Sequence, residues 1–275
     1  MKHYFVLGRK LSHSLSPFFH NNLFKSSNMD ADYSLLEFEP KGAAQVFSRL
    51  RQEAAGFNIT VPYKQLCMDY IDEISPEALK AGAVNTVVND NGKLIGYNTD
   101  GKGFLMAIGD LSAQLKDKQV LLLGAGGVAT ILAIELLQCG AFVKLFDITE
   151  GKALELLQVL KQFPAGVRAE ILEKPIAGAY LVVNATPVGM FPNVNASPLE
   201  QKDFAGVKFA FDCVYNPLQT RFLQWAQEAG ANGIEGLSML WYQGLEAQRL
   251  WGNYFEQSVL NEAYEKLKIK AGERQ

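Results

Sequence analysis

Cysteine and histidine are scarce: Cys67, Cys139, Cys213, His3, His13 and His20 are all there are among 275 residues. An odd number of widely spaced cysteines excludes a disulfide framework and points to a reducing compartment, so a cytoplasmic protein is expected. No cysteine–histidine cluster has zinc spacing, and a metal mechanism is not expected. Positive charge is not in excess either. The 26 Lys and Arg against 29 Asp and Glu leave a net charge of −3, where a nucleic-acid binder would carry a basic stripe. No apolar run approaches the length that crosses a bilayer, so no membrane partner is expected. The opening MKHYFVLGRKLSHS has too short an apolar run for a signal peptide. What is present is ordinary: 48% hydrophobic and 20% charged residues, a globular composition with length for one large or two ordinary domains.

The first hundred residues alternate strand-like and helix-like runs. HYFVLG (3–8), YSLLEFEP (33–40) and GFNITV (56–61) read as strands. SPFFHNNLFKSSN (16–28), KGAAQVFSRLRQEA (41–54) and a stretch around KQLCMDYI (64–71) read as helices. Asn91-Gly92 between two β-prone runs is a hairpin signal. This half is expected to be an α/β domain of mixed strand direction.

The second half opens with KQVLLLGAGGVATILAIELLQCGAFVKLFD (118–147). Val120 to Leu123 is continuously apolar, as suits a strand covered on both faces. A glycine-rich turn, a helix and a second strand follow, and AYLVVNA (179–185) and KFAFDCVY (208–215) each precede a turn. The pattern predicts a Rossmann-type doubly wound parallel sheet. The helical segments after residue 236 are placed back with the first domain, giving a substrate domain of 1–101 with 237–275 and a nucleotide domain of 102–236. The tail AGERQ is expected to fray.

GAGGVA sets Gly124, Gly126 and Ala129 in the pattern G-x-G-x-x-A, with Ala125, Gly127 and Val128 between them. The first glycine permits a tight turn, the second admits a pyrophosphate, and the small third position lets helix approach strand. Backbone N–H groups at the helix start then face phosphate oxygens. Asp147 ends the next strand, about 20 residues on, where a carboxylate accepts hydrogen bonds from ribose hydroxyls and repels a 2′-phosphate. Ile148 and Thr149 supply no arginine, so NAD is favoured over NADP. The competing reading makes Asp147 a helix cap.

Polar side chains stand at strand ends and turns far apart in the chain: Ser14, Ser16, Thr60, Lys64, Asn85, Thr99, Asp100 and Gln243. Hydroxyls and amides suit a small polyhydroxylated ligand. Lys64 and Asp100 are ionisable and of opposite sign. A lysine ammonium can stabilise charge building on a carbonyl oxygen and deliver a proton there, with an aspartate to orient it. Spacing alone leaves open the alternative of two surface charges.

HSLSPFFHN, NITVPYK, GAVNT, GYNTDGKGF, GAGGVA, NATPVGM, DCVYNPLQT and GLSMLWYQG occur in the order and spacing of one family, over nearly the whole chain. The sequence resembles the shikimate dehydrogenases. The resemblance implies two α/β domains with a cleft between them and reversible NAD(P)-dependent reduction of 3-dehydroshikimate to shikimate, a step towards chorismate and the aromatic amino acids. It implies Lys64 and Asp100 as the catalytic pair, and Ser14, Ser16, Thr60, Asn85, Tyr215 and Gln243 as substrate contacts. It places Gly124 to Ala129, Asp147, Thr149, Thr186 and Met239 at the cofactor, in a monomer or homodimer acting on a small molecule. Asn184 and Thr186 also suit turn formation, and His13 and His20 read as structural.

The chain departs from the family pattern at several places. Asp147-Ile148-Thr149 stands where NADP users resemble one another in Asn-Arg-Thr, and Pro187 replaces a usual serine. Trp241 and Tyr242 are bulkier than usual. The alternatives are an NAD-preferring quinate/shikimate dehydrogenase and a catalytically silent nucleotide-binding sensor.

Overall fold

The structure is a computed structural model, which describes residues 1–163 and 167–273. It divides into two compact units, one of Met1–Thr99 with Gln243–Lys270, the other of Asp100–Tyr242 with the residues from Ala271.

In the first unit the chain runs β1 (Lys2–Gly8), α1 (Ser16–Ser26), β2 (Ala31–Glu37), α2 (Ala43–Glu53) and β3 (Gly56–Ile59). It continues through β4 (Glu73–Ile74), α3 (Pro76–Ala81), β5 (Thr86–Asp90) and β6 (Lys93–Tyr97). The sheet order is β2-β1-β3-β5-β6-β4. β1 is parallel to β2 and β3, while β5 is antiparallel to both β3 and β6. The sheet is mixed, as expected. Asn91 and Gly92 have φ of 52° and 92°, the two positive values that a tight hairpin turn requires. Alternation along β1 sorts the two faces: Leu7 joins Phe47, Leu50 and Phe57 on one, and Tyr4 and Val6 join Phe24, Tyr33 and Trp251 on the other.

The helix expected around residues 64–71 is a 3₁₀ turn, Leu66–Tyr70. Met68 N–H bonds Gln65 O and Ile71 N–H bonds Met68 O, the three-residue spacing of a 3₁₀ turn. α3 was not anticipated. Its signals are local: the Ser75 side chain accepts from Ala78 N–H, Pro76 opens the helix, and Gly82 ends it at φ 61°.

The second unit contains α4 (Asp100–Ile108), α5 (Leu111–Gln114), β7 (Gln119–Leu123), α6 (Gly127–Gln138), β8 (Phe142–Phe146), α7 (Lys152–Leu160) and β9 (Ala169–Ile171). β10 (Leu181–Asn184), β11 (Phe209–Asp212), α8 (Arg221–Glu228) and β12 (Asn232–Ile234) follow. Every strand pair is parallel, in the order β12-β11-β10-β7-β8-β9. This is the doubly wound arrangement read from the sequence, with the reversal of strand order between β7 and β10. α9 (Gly236–Leu250) contributes to both units, and α10 (Gln257–Gly272) closes the chain. α10 reaches into the tail expected to fray; Arg274 and Gln275 lie outside the described residues.

Candidate active site

In the second unit all strands are parallel, so the residues that follow β7, β8, β10 and β11 emerge at one end of the sheet. After β7, Gly124 adopts φ 97°, and a Cβ there would lie 3.0 Å from Thr186 Cγ2 and 3.1 Å from Ala185 O. Only glycine lets these two turns approach so closely. Gly126 and Gly127 differ: an added Cβ would meet nothing within 4 Å, and both are exposed. Gly126 precedes α6 with no side-chain cap, leaving first-turn N–H groups beside open space. Ala129 is buried, which lets α6 pack close. An uncapped helix start with room in front of it fits the diphosphate of a dinucleotide.

Asp147, after β8, accepts from Ala125 N–H at 2.8 Å through Oδ2 and from Thr149 N–H at 2.7 Å through Oδ1. It ties the glycine turn to its own loop. Neither bond exhausts the lone pairs of its oxygen, so ribose hydroxyls can still be accepted. Ile148 is 87% exposed. Met239 is buried in α9, and the Tyr215 side chain is half-buried after β11.

Thr186 is set by a buried network that the sequence did not reveal. Asn184 Oδ1 accepts from Thr186 N–H (3.0 Å) and Oγ1–H (2.7 Å), and Asn184 Nδ2 donates to Asp212 Oδ1 (2.9 Å). Asp212 also accepts from Val214 N–H (2.9 Å) and Thr220 Oγ1–H (2.6 Å). Burial pushes the Asp212 carboxyl up to about 7, against the pull of these donors. The only sequence signal was position, an acid ending an apolar strand.

In the first unit the strand directions bring another set of side chains to one sheet end. The carboxyl ends of β1, β3 and β6 lie there with the amino end of β5, since Asn58 pairs with Thr86 and Thr86 with Tyr97. Ser14 and Ser16 follow β1, and Ser16 N–H donates to Ser14 Oγ at 3.2 Å. Thr60 follows β3, and its N–H bonds Leu7 O at 2.9 Å. The half-buried Lys64 comes next; its carbonyl accepts from Val84 N–H at 2.8 Å. That bond stitches the lysine turn to the residue before Asn85.

Asn85 and Thr99 are both buried. Asn85 Oδ1 accepts from Thr99 N–H at 2.8 Å, Asn85 Nδ2 donates to Thr99 Oγ1 at 3.0 Å, and Thr99 Oγ1 lies 3.4 Å from Gln243 Oε1. Residues 144 positions apart are thereby joined. Lys64 belongs to this unit, and Asp100, buried at the start of α4, opens the second.

Of the two histidines, His20 is buried in the first unit and His13 is not. His13 is exposed, whereas burial holds the His20 imidazole down at about 3, stacked on Tyr33 with Nδ1 2.7 Å from Gln248 Nε2. Among the described residues there is no cluster of His, Cys, Asp and Glu that could hold a metal, and no helix long and apolar enough to cross a membrane. Sequence reading passed over Tyr33, Asn58 and Thr86, buried polar residues whose side chains bond one another around Asn85.

The family model for the shikimate dehydrogenase substrate binding domain matches residues 6–87. The shikimate dehydrogenase (NADP(+)) of Carboxydothermus hydrogenoformans is 42% identical over 256 residues, 90% of each chain. Shikimate 5-dehydrogenase from Thermus thermophilus, solved in complex with NADP(H) and shikimate, is 36% identical with a TM-score of 0.85, covering 97% of this chain and 100% of its own. The Listeria monocytogenes enzyme, solved in complex with shikimate and NAD, is 29% identical with a TM-score of 0.87, covering 97% of this chain and 96% of its own. Fold, strand-end chemistry and these likenesses define an α/β oxidoreductase acting on a CH–OH group. The chain belongs to the shikimate dehydrogenase family.

Proposed function

We propose that the chain catalyses the reversible reduction of 3-dehydroshikimate to shikimate with a nicotinamide dinucleotide, NAD in preference to NADP. The observation that carries this reading is the gathering of Ser14, Ser16, Thr60, Asn85 and Gln243 at the sheet end where Lys64 also lies. Hydroxyls and amides of this kind suit a ring bearing several hydroxyls.

The first unit is the substrate domain and the second the nucleotide domain. Gly124 to Ala129, Asp147, Thr149, Thr186 and Met239 hold the dinucleotide, and Tyr215 is a substrate contact. The bound dinucleotide supplies or accepts the hydride. Lys64 Nζ gives a proton to the substrate carbonyl oxygen in the reducing direction and takes it back in the other. Its positive charge stabilises negative charge on that oxygen in the transition state. Asp100 is the orienting acid for that lysine, and the serine, threonine and amide groups hold the ring.

The preference for NAD rests on charge. A 2′-phosphate brought to Asp147 meets a like charge, and Ile148 has nothing to neutralise it. The Listeria relative carrying NAD supports a family site that admits this cofactor.

Two measurements test the reading. A matrix of shikimate and quinate against NAD and NADP is expected to give the highest kcat/KM for shikimate with NAD; a dominant quinate rate would assign the chain to the degradative branch. Lys64→Ala is expected to lower kcat by about 10²–10⁴-fold, the usual yield of a positioned acid–base group, with shikimate and dinucleotide still bound. Near-normal turnover in that variant removes Lys64 from the chemistry, and binding without turnover in the native protein leaves the sensor reading.

A further inference from the structure

In the second unit β8 and β10 flank β7 on opposite sides. Asp147 follows β8, on the side of the adenosine ribose. The turn after β10 therefore falls on the other side of the glycine turn, towards the nicotinamide half of a dinucleotide laid across the strand reversal. That turn starts from Asn184, which is wholly buried, as is Asp212 at the end of β11.

Asn184 Oδ1 accepts from Thr186 N–H at 3.0 Å and from Thr186 Oγ1–H at 2.7 Å. Asn184 Nδ2 donates to Val188 O at 3.2 Å and to Asp212 Oδ1 at 2.9 Å. Both lone pairs and both protons of the amide are thereby used. The same Asp212 oxygen accepts from Val214 N–H at 2.9 Å. One carboxyl oxygen thus ties the turn after β10 to the turn after β11, and Phe191 N–H ties them again through Asn216 O at 3.0 Å.

We propose that Asn184 and Asp212 are positioning residues for the nicotinamide half of the dinucleotide, holding Thr186 with its hydroxyl proton turned into the protein so that it meets the ligand as an acceptor. The proposal rests on the assignment of Thr186 as a dinucleotide contact.

Two main-chain groups fix the amide. Thr186 N–H can only donate, so Oδ1 faces it, and Val188 O can only accept, so Nδ2 faces it. Thr186 Oγ1 then gives its proton to Oδ1, and one of its lone pairs takes Val188 N–H at 3.2 Å. One lone pair is left, and no proton. The ligand group that fits it is a donor, a hydroxyl of the nicotinamide ribose or the carboxamide N–H; a phosphate oxygen does not fit. A buried amide with every group paired is rigid. Without it the Thr186 hydroxyl would turn freely, and ordering it would cost binding energy.

The test is titration of the full chain with NADH and, separately, with ADP, which carries only the adenosine and diphosphate. Asn184→Ala is expected to weaken NADH binding about tenfold, the worth of one neutral hydrogen bond, and to leave ADP binding unchanged. KM for the dinucleotide rises with it. A merely structural role would weaken both ligands alike. Asp212→Ala leaves Asn184 Nδ2 and Val214 N–H without their acceptor, so the same sign is expected. Asp212→Asn keeps an oxygen in place and is expected to bind NADH as the parent does. This pair carries the test if Asn184→Ala fails to fold. The reduced 3-acetylpyridine analogue, which lacks the carboxamide N–H, separates the two donors. If the Asn184→Ala loss vanishes with the analogue, the donor is the carboxamide; if the loss persists, it is the ribose; each supports the proposal. Alanine variants that bind NADH normally, equal losses of NADH and ADP, or Asp212→Asn as weak as Asp212→Ala overturn it. A parent that binds neither NADH nor NADPH removes the functional reading and the proposal with it; a parent that binds NADH no better than both alanine variants do removes the proposal alone.

Discussion

Asp147 does structural work before any nucleotide is considered, holding Ala125 N–H and Thr149 N–H with its two oxygens. In the proposed reading its negative charge is also what disfavours a 2′-phosphate. The nearby cation Lys152 is engaged with Glu155 at 2.6 Å, which raises its pKa. Removing the acid and adding a planar, bidentate donor should reverse the proposed preference for NAD. Asp147→Asn combined with Ile148→Arg is expected to move the NADP/NAD ratio of kcat/KM upward by about tenfold or more, and an unmoved ratio would place discrimination elsewhere.

Asp212 gives a second consequence at this scale. An unfolded aspartate ionises near pH 4, whereas burial keeps the folded carboxyl protonated up to about pH 7. The folded pKa lies above the unfolded one, so this contribution to stability is full below pH 4 and is lost as pH rises towards 7. The decline is expected to be on the order of a few kcal/mol. Denaturant titrations of parent and Asp212→Asn from pH 4 to 8 should show that component of the slope only in the parent.

At the scale of elements, the glycine turn separates folding from binding. Gly124 has positive φ and backbone within 3.1 Å of a Cβ position, whereas Gly126 has open space. Gly124→Ala is expected to destabilise the fold by about 1–3 kcal/mol through strain and crowding. Gly126→Val should leave the melting temperature unchanged while weakening dinucleotide binding, because its side chain would stand before the N–H groups that open α6. Equal effects on melting and binding at the two positions would contradict this division. The β-prone and apolar runs that announced β1, β3, β7 and β8 are local to the chain and therefore readable from it. The 3₁₀ turn at Leu66–Tyr70 and the two-residue β4 were not, because so few residues carry no period and their conformation follows from what they connect.

At the scale of the molecule, the first unit is assembled from both ends of the chain. Trp251 donates Nε1–H to Val87 O at 2.9 Å and lies tilted against Tyr4 with ring centroids 4.7 Å apart. A Cβ at Gly56 would lie 2.2 Å from that indole nitrogen. Trp251→Ala is therefore expected to cost about 3–5 kcal/mol, read as a lowered transition of the whole chain. A fragment ending at Thr99 should fail to fold for the same reason, lacking Gln243–Lys270. A cooperative transition in that fragment by circular dichroism would show that the returning segment is dispensable.

By itself the sequence determined the α/β class, the parallel and mixed sheets, the glycine turn with its acid, and the residue types available for chemistry. These are properties of local period, turn preference and side-chain inventory. Only the tertiary structure decided that Asn184 is bound to Asp212, that Thr99 lies against both Asn85 and Gln243, and that Trp251 fills the space left by Gly56. Such links join positions tens to hundreds of residues apart, and burial makes each of them matter by withdrawing the water that would otherwise satisfy the same polar groups.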